Sequence, residues 1–157
     1  MTIDILKLII SIVICQLAGG IGAIFKVKAI PKWFIHLKKP SFNPPNWLFG
    51  PVWTILYLMM SISFYLIWVS GFSLASLPLI AFFVQLILNV LWSALFFGAR
   101  KPFMAFVEII FLLISIVIVM ILFYPNSHIA GYLLIPYLLW VMFASLLNFE
   151  LWRLNRH

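Results

Sequence analysis

Five long apolar runs succeed one another along this chain, and all of its charge but Glu108 lies between them or beyond the first and last. Leu8 to Phe25 gives 18 residues without a charge, Trp47 to Val69 gives 23 and Leu79 to Phe97 gives 19. Phe103 to Phe123 gives 21 with one acid inside, Glu108, and Ile129 to Phe149 another 21. A helix needs about 20 apolar residues to cross a ~30 Å hydrocarbon core, so each run predicts one span. The predicted helices cover about 3–25, 47–69, 79–98, 103–123 and 129–152, with a loop over 26–46. The 60 residues from Pro40 to Ala99 hold no charge. As a single helix they would run about 90 Å, so they must turn. Ser70-Gly71-Phe72-Ser73 and Pro78 mark the place. Barrel strands are shorter and alternate in polarity, which these runs do not. Pro78 and Pro102 suit helix starts, Pro125 a stop, and Pro136 predicts a kink in the fifth span. The expectation is an all-α integral membrane bundle in one domain, 1–157.

Composition agrees: 66% of the 157 residues are hydrophobic, 8% are charged, and mean hydropathy is +1.22. A soluble domain of this size has no interior large enough for that apolar content. The lone Cys15 rules out an intrachain disulfide. The net charge of +7 calls for a topological reading before a nucleic-acid partner, which we do not expect. Lys26, Lys28, Lys32, Lys38, Lys39, Arg100, Lys101, Arg153 and Arg156 all fall on one side of a five-span arrangement, and only Lys7 on the other. The positive-inside rule then places the N-terminus outside and the C-terminus in the cytoplasm. The start Met1-Thr2-Ile3-Asp4 is not basic, so the first span reads as a membrane helix rather than a cleaved leader. A prokaryotic cell membrane is the expected location.

The acids are Asp4, Glu108 and Glu150, and the histidines His36, His128 and His157. None of them are spaced as metal ligands or as a nucleophile–His–acid set, so no metal, cofactor or catalytic group is expected. Gly19-Gly20-Ile21-Gly22 has no preceding strand and is not a dinucleotide loop. It reads as close helix packing through Ala18 to Gly22 and Gly19 to Ala23, or as room for a ligand. Glu108 reads as a group that reaches the interface or bonds a neighbouring helix; a proton relay would want more titratable partners. Glu150 and Arg153 are placed to pair at i,i+3.

Polar and aromatic residues form stripes at helical spacing. Gln85, Asn89, Trp92 and Phe96 share one face of the third span, Tyr137, Trp140, Ala144 and Asn148 one face of the fifth, and Phe49, Trp53 and Tyr57 one face of the second. An amide in hydrocarbon must find a partner, so these faces point into the bundle. Two readings stand: amide glue with an aromatic core, or the wall of an apolar pocket for a flat ligand with a small polar edge. Trp68 and Trp152 at span ends, and Trp33 in the loop, are candidates for the interfacial belt. The loop, with Lys38-Lys39-Pro40-Ser41-Phe42-Asn43-Pro44-Pro45, is stiff enough to cap a pocket.

That loop run, followed by Phe49-Gly50-Pro51-Val52-Trp53-Thr54, resembles the translocator protein or tryptophan-rich sensory protein (TspO/MBR) family, also called the peripheral benzodiazepine receptor family. Gln85-Leu86, Asn89, Trp92-Ser93 and Phe96 to Arg100 are similar to its third-helix motif, and Pro136 to Trp140, Phe143-Ala144 and Leu147-Asn148 to its fifth. The resemblance covers about Gly22 to Asn155. It implies five helices, a homodimer, and a pocket closed by the first loop that takes porphyrins such as protoporphyrin IX, sterols or related lipids. It also implies a ligand set of Gly22, Phe34, Pro44, Phe49, Trp53, Asn89, Trp92, Tyr137, Trp140 and Ala144. Two departures stand out: Phe42 occupies the place of a usual Trp, and Phe149 that of the Tyr in the sterol-recognition segment, which makes sterol binding by that route doubtful. The function expected is a membrane receptor for porphyrin-like tetrapyrroles, acting in sensing, transport or stress response. The alternatives are light-dependent oxidative porphyrin breakdown through Trp53 and Trp140, and transport of lipid, sterol or another small molecule.

Overall fold

The computed structural model describes residues 2–156; Met1 and His157 lie outside the described residues. Six helices make five spans: α1 (Ile5–Ala29), α2 (Asn46–Val69), α3 (Leu77–Ser93), α4 (Pro102–Phe123), α5 (His128–Leu133) and α6 (Ile135–Leu154). A π-helical segment, Ala94–Gly98, extends α3, and α5 with α6 forms the fifth span. All five are long and apolar enough to cross a membrane. Their order around the bundle is α1, α2, α5/α6, α4, α3, closing on α1. Large apolar side chains such as Val13, Leu17, Ile114 and Ile121 face outward, where lipid covers them.

Local chemistry sets the ends. Asp4 caps α1 by accepting the Lys7 N–H at 3.0 Å, and its own N–H donates to the Tyr65 hydroxyl at 3.1 Å. Pro78, Pro102 and Pro136 sit in first turns, where no N–H is needed. Gly71, at φ 101°, makes the turn after α2. Pro136 does more than kink the fifth span: the helix stops at Leu134 and restarts, because proline cannot continue the ladder.

Two expectations need correction. α1 runs on to Ala29, so Lys26 and Lys28 belong to its last turn and not to the loop. Trp33 is half-buried and packs edge-on against Phe96 at 5.6 Å. Glu108 neither reaches the interface nor bonds a neighbour. It shares the inward face of α4 with Ala105, Ile109 and Leu112, is 6% exposed, and neither carboxylate oxygen has a partner. The Glu150–Arg153 pair forms as expected, with Arg153 Nη2 donating at 2.6 Å. Trp68 and Trp152 do stand at span ends, beneath Lys7 and Arg156 respectively.

The loop between α1 and α2 folds over one end of the bundle through a single 3-10 turn, Phe34–His36. Asn155 ties it down: its Oδ1 accepts the Lys38 N–H and its Nδ2 donates to the Lys38 carbonyl, both at 2.9 Å. Phe42 packs on Phe143 at 6.2 Å.

The glycines of α1 divide by position. A Cβ on Gly19 would stand 2.7 Å from the Tyr57 ring, and one on Gly20 meets nothing within 4 Å. Gly19→Ala should therefore cost about 1–3 kcal/mol through overpacking. Gly20→Ala should be neutral or gain up to about 1 kcal/mol from helix propensity. Thermal unfolding of the two variants in detergent checks the contrast.

Candidate functional site

The stripes of α2, α3 and α6 converge. Tyr57 donates its hydroxyl to Asn89 Oδ1 at 2.5 Å, and Asn89 Nδ2 donates to the Tyr137 hydroxyl at 2.7 Å. Tyr137 in turn donates to Gln85 Oε1 at 2.9 Å. A second chain runs from Trp92 Nε1 to Asn148 Oδ1 at 3.0 Å, and from Asn148 Nδ2 to the Pro102 carbonyl at 2.8 Å. Together these bonds join α2, α3, α4 and α6 at defined heights. Gln85, Asn89, Tyr137 and Asn148 are each at least 99% buried.

Over this frame lie two lobes of one aromatic site. The larger, a cavity of ≈ 300 Å³ between α1, α2 and α3, is lined by Gly19, Gly22, Lys26, Tyr57, Asn89 and Ser93. The smaller, ≈ 30 Å³, lies toward the loop and α6, among Phe34, Trp140, Ala144 and Leu147. Phe49, Trp53, Trp92 and Phe97 line both. Trp53 is the hub: its ring lies 5.6 Å from Tyr57 and 6.4 Å from both Trp92 and Tyr137. Phe49 meets Trp140 edge-on at 6.0 Å. The Trp140 indole N–H is buried and has no acceptor.

The π-helical segment explains why adjacent Phe96 and Phe97 are both buried. Its wider turn, closed by Ala99 N–H to Ala94 C=O at 2.7 Å, brings both rings onto the inner face. Phe97 then lines both lobes, while Phe96 lines the smaller one and stacks on Trp92 at 5.6 Å.

Of the residues singled out from sequence, Gly22, Phe49, Trp53, Asn89 and Trp92 line the larger lobe, and Phe34, Trp140 and Ala144 the smaller. Tyr137 lines neither; it is fully buried behind Trp53 and holds Asn89. Pro44 lines neither and stays in the loop, where its carbonyl accepts from Asn43 Nδ2. Sequence reasoning missed Lys26, which it counted as a loop charge. The signal was present: Gly19, Gly22 and Lys26 are spaced +3, +4 and share a face of α1. Lys26 Nζ sits 4.4 Å from the centre of the Phe49 ring. Among the described residues no acid lines the cavity, and no ion pair engages Lys26.

Residues 11–153 match the family described as TspO/MBR. The chain is 44% identical over 152 residues to the Tryptophan-rich protein TspO of Archaeoglobus fulgidus, covering 97% of this chain and 99% of that one. It is 39% identical over 127 residues to the human Translocator protein, covering 79% and 75% respectively. It is 33% identical over 141 residues to the Tryptophan-rich sensory protein of Cereibacter sphaeroides, covering 90% and 86%.

The buried network should be a stability element independent of ligand. Tyr137→Phe removes the bonds to Asn89 and Gln85 without changing the ring. It should lower stability by about 1–2 kcal/mol, at about 0.6 kcal/mol or more per intramembrane bond. Denaturation of the ligand-free protein in detergent measures this; an unchanged midpoint would show that the network is energetically idle.

Proposed function

The chain belongs to the TspO/MBR family, and on that premise we propose that it is a membrane receptor for porphyrins and related flat hydrophobic ligands, bound in the two-lobed aromatic site. It is a multi-pass integral membrane protein, and its archaeal and bacterial relatives support a prokaryotic membrane. We place the lysine-rich end in the cytoplasm, by the positive-inside rule.

The observation that carries the reading is Lys26. Among the described residues it is the one cation lining an otherwise neutral aromatic cavity, and its ammonium rests on the face of Phe49 and not on a carboxylate. A ring face is a weak substitute for an anion. A protoporphyrin has the complementary form: a flat apolar disc with its carboxylates along one edge. Trp53 and Trp92 offer stacking faces, Lys26 faces the acidic edge, and the unpaired Trp140 N–H is a donor awaiting an acceptor. The amide of Asn89 contributes less than its position promises, since its Oδ1 and one Nδ2 hydrogen are committed to tyrosines.

A second reading, light-dependent oxidative breakdown of the bound porphyrin, is favoured by the contact of Trp53 with both Tyr57 and Tyr137. Trp53 and Tyr57 at the cavity wall, with Tyr137 buried behind Trp53, would pass an oxidising equivalent inward. The chemistry itself would come from the excited porphyrin and oxygen.

Titration with protoporphyrin IX in the dark, read by tryptophan fluorescence, tests the first reading. Saturable micromolar quenching is expected, weakened about tenfold in Trp140→Ala. Lys26→Met should weaken protoporphyrin IX five- to tenfold, about 1–1.4 kcal/mol, while changing its dimethyl ester less than about twofold. Equal loss for acid and ester would remove the charge argument, and absence of saturable quenching would overturn the receptor reading. An illuminated sample that forms a new absorbing product, lost in Trp53→Phe, would favour the second.

A further inference from the structure

A second concavity lies outside the aromatic site, at the lysine-rich end between the last turns of α1 and the π-helical segment. This open cleft of ≈ 650 Å³ gathers Lys28, Lys32 and Arg100 over an apolar wall that includes Phe25, Ala29 and Phe97. Lys28 and Lys32 stand one helical turn apart, because helical hydrogen bonding continues past Ala29: the Trp33 N–H donates to the Ala29 carbonyl at 2.9 Å. Like charges at this spacing repel. Among the described residues no acid neutralises the three. Asp4 lies at the other end beside Lys7, Glu150 is taken by Arg153, and Glu108 is buried within α4.

The backbone adds a second cost. Arg100 is in the left-handed region at φ 56°, the single non-glycine residue there among those described. That conformation closes the π-helical segment, with Lys101 N–H bonded to the Leu95 carbonyl at 3.0 Å. Glycine would take it without strain, and arginine does not. An arginine at such a position, in one cleft with two lysines, points to an anion that all three share.

The surface leading away from the cleft identifies the anion's carrier. Ile24 and Ile21 precede Lys28 by four and seven residues, so they lie on the same face of α1, one and two turns deeper in the membrane. They are 54% and 48% exposed. A cationic cleft at the span end thus continues into an apolar stripe in the hydrocarbon. We propose that this cleft is a binding site for an anionic phospholipid, with the phosphate held by Lys28, Lys32 and Arg100 and an acyl chain lying along Ile24 and Ile21. The site is independent of the porphyrin reading. Basic pockets between helices at a membrane face hold acidic headgroups, at about 1 kcal/mol or about five-fold in affinity per cation.

Native mass spectrometry of the intact protein titrated with phosphatidylglycerol or phosphatidylcholine tests this. Phosphatidylglycerol should be retained at least about tenfold more strongly. Lys28→Gln/Lys32→Gln/Arg100→Gly should erase the preference, whereas Lys38→Gln/Lys101→Gln/Arg156→Gln, at the same end but outside the cleft, should keep it. If both sets lose it equally, the attraction is diffuse surface charge and the site does not exist. If millimolar inorganic phosphate displaces the lipid completely, the acyl stripe contributes nothing and the lipid assignment fails. Arg100→Gly alone guards against misfolding. It relieves strain, so it should melt no lower in neutral detergent, and it should still lose about five-fold for phosphatidylglycerol. A lower melting point without anionic lipid, or unchanged lipid affinity, would overturn the role given to Arg100.

Discussion

Inside a bilayer no water completes a hydrogen bond, so the amides of Gln85, Asn89 and Asn148 dictate which helices meet. Each finds its partner on another span: Asn89 on α2 and α6, Gln85 on α6, Asn148 on α3 and at the start of α4. The apolar surfaces impose no such choice, because a leucine packs as readily against lipid as against another helix. The amide contacts therefore fix rotation and height, and the aromatic rings take their places around them. Tyr57 shows the dependence. Its hydroxyl is anchored on Asn89, so its ring cannot swing away from α1, and α1 must present Gly19 to it.

Much of this was legible in the sequence. The five spans follow from length and hydropathy, and the inward faces of α2, α3 and α6 follow from amides and aromatics at steps of three and four. Periodicity identifies a face and is silent on its partner. Hence the stripe Gln85–Asn89–Trp92 was readable, but the pairing of Asn89 with two tyrosines was not. Lys26 was missed for a related reason. A lysine marks the end of an apolar run, yet a membrane helix continues beyond the hydrocarbon until its backbone is stopped, and α1 is not stopped before Ala29. The π-helical segment left no trace in composition, since Ala94-Leu95-Phe96-Phe97-Gly98 would suit an ordinary helix as well. The inward turn of Trp33 depends on Phe96, and so on that same segment.

One non-glycine residue among those described holds a strained backbone conformation, and close packing surrounds it. Arg100 takes a backbone conformation that favours glycine, two residues after a glycine that is itself pressed against α1: a Cβ on Gly98 would stand 2.9 Å from the Phe25 ring. Both lie at the junction of α1, the π-helical segment and α4, on the same side of the molecule as the loop that Asn155 ties down. Strain held by surrounding structure is a frequent mark of functional surface.

Phe97 stands between compartments. One ring contributes to the larger lobe, to the smaller lobe and to the basic cleft outside them. A wall with two sides cannot be moved for one occupant alone. If an occupant of a lobe and an occupant of the cleft each bind better to one position of the ring, each changes the other's affinity by the same factor, favourably when they prefer the same position and unfavourably when they do not. Linkage of this kind needs no moving helix, only a shared side chain with two positions. With a lipid in the cleft, as proposed, the composition of the host membrane would enter the binding isotherm of either lobe.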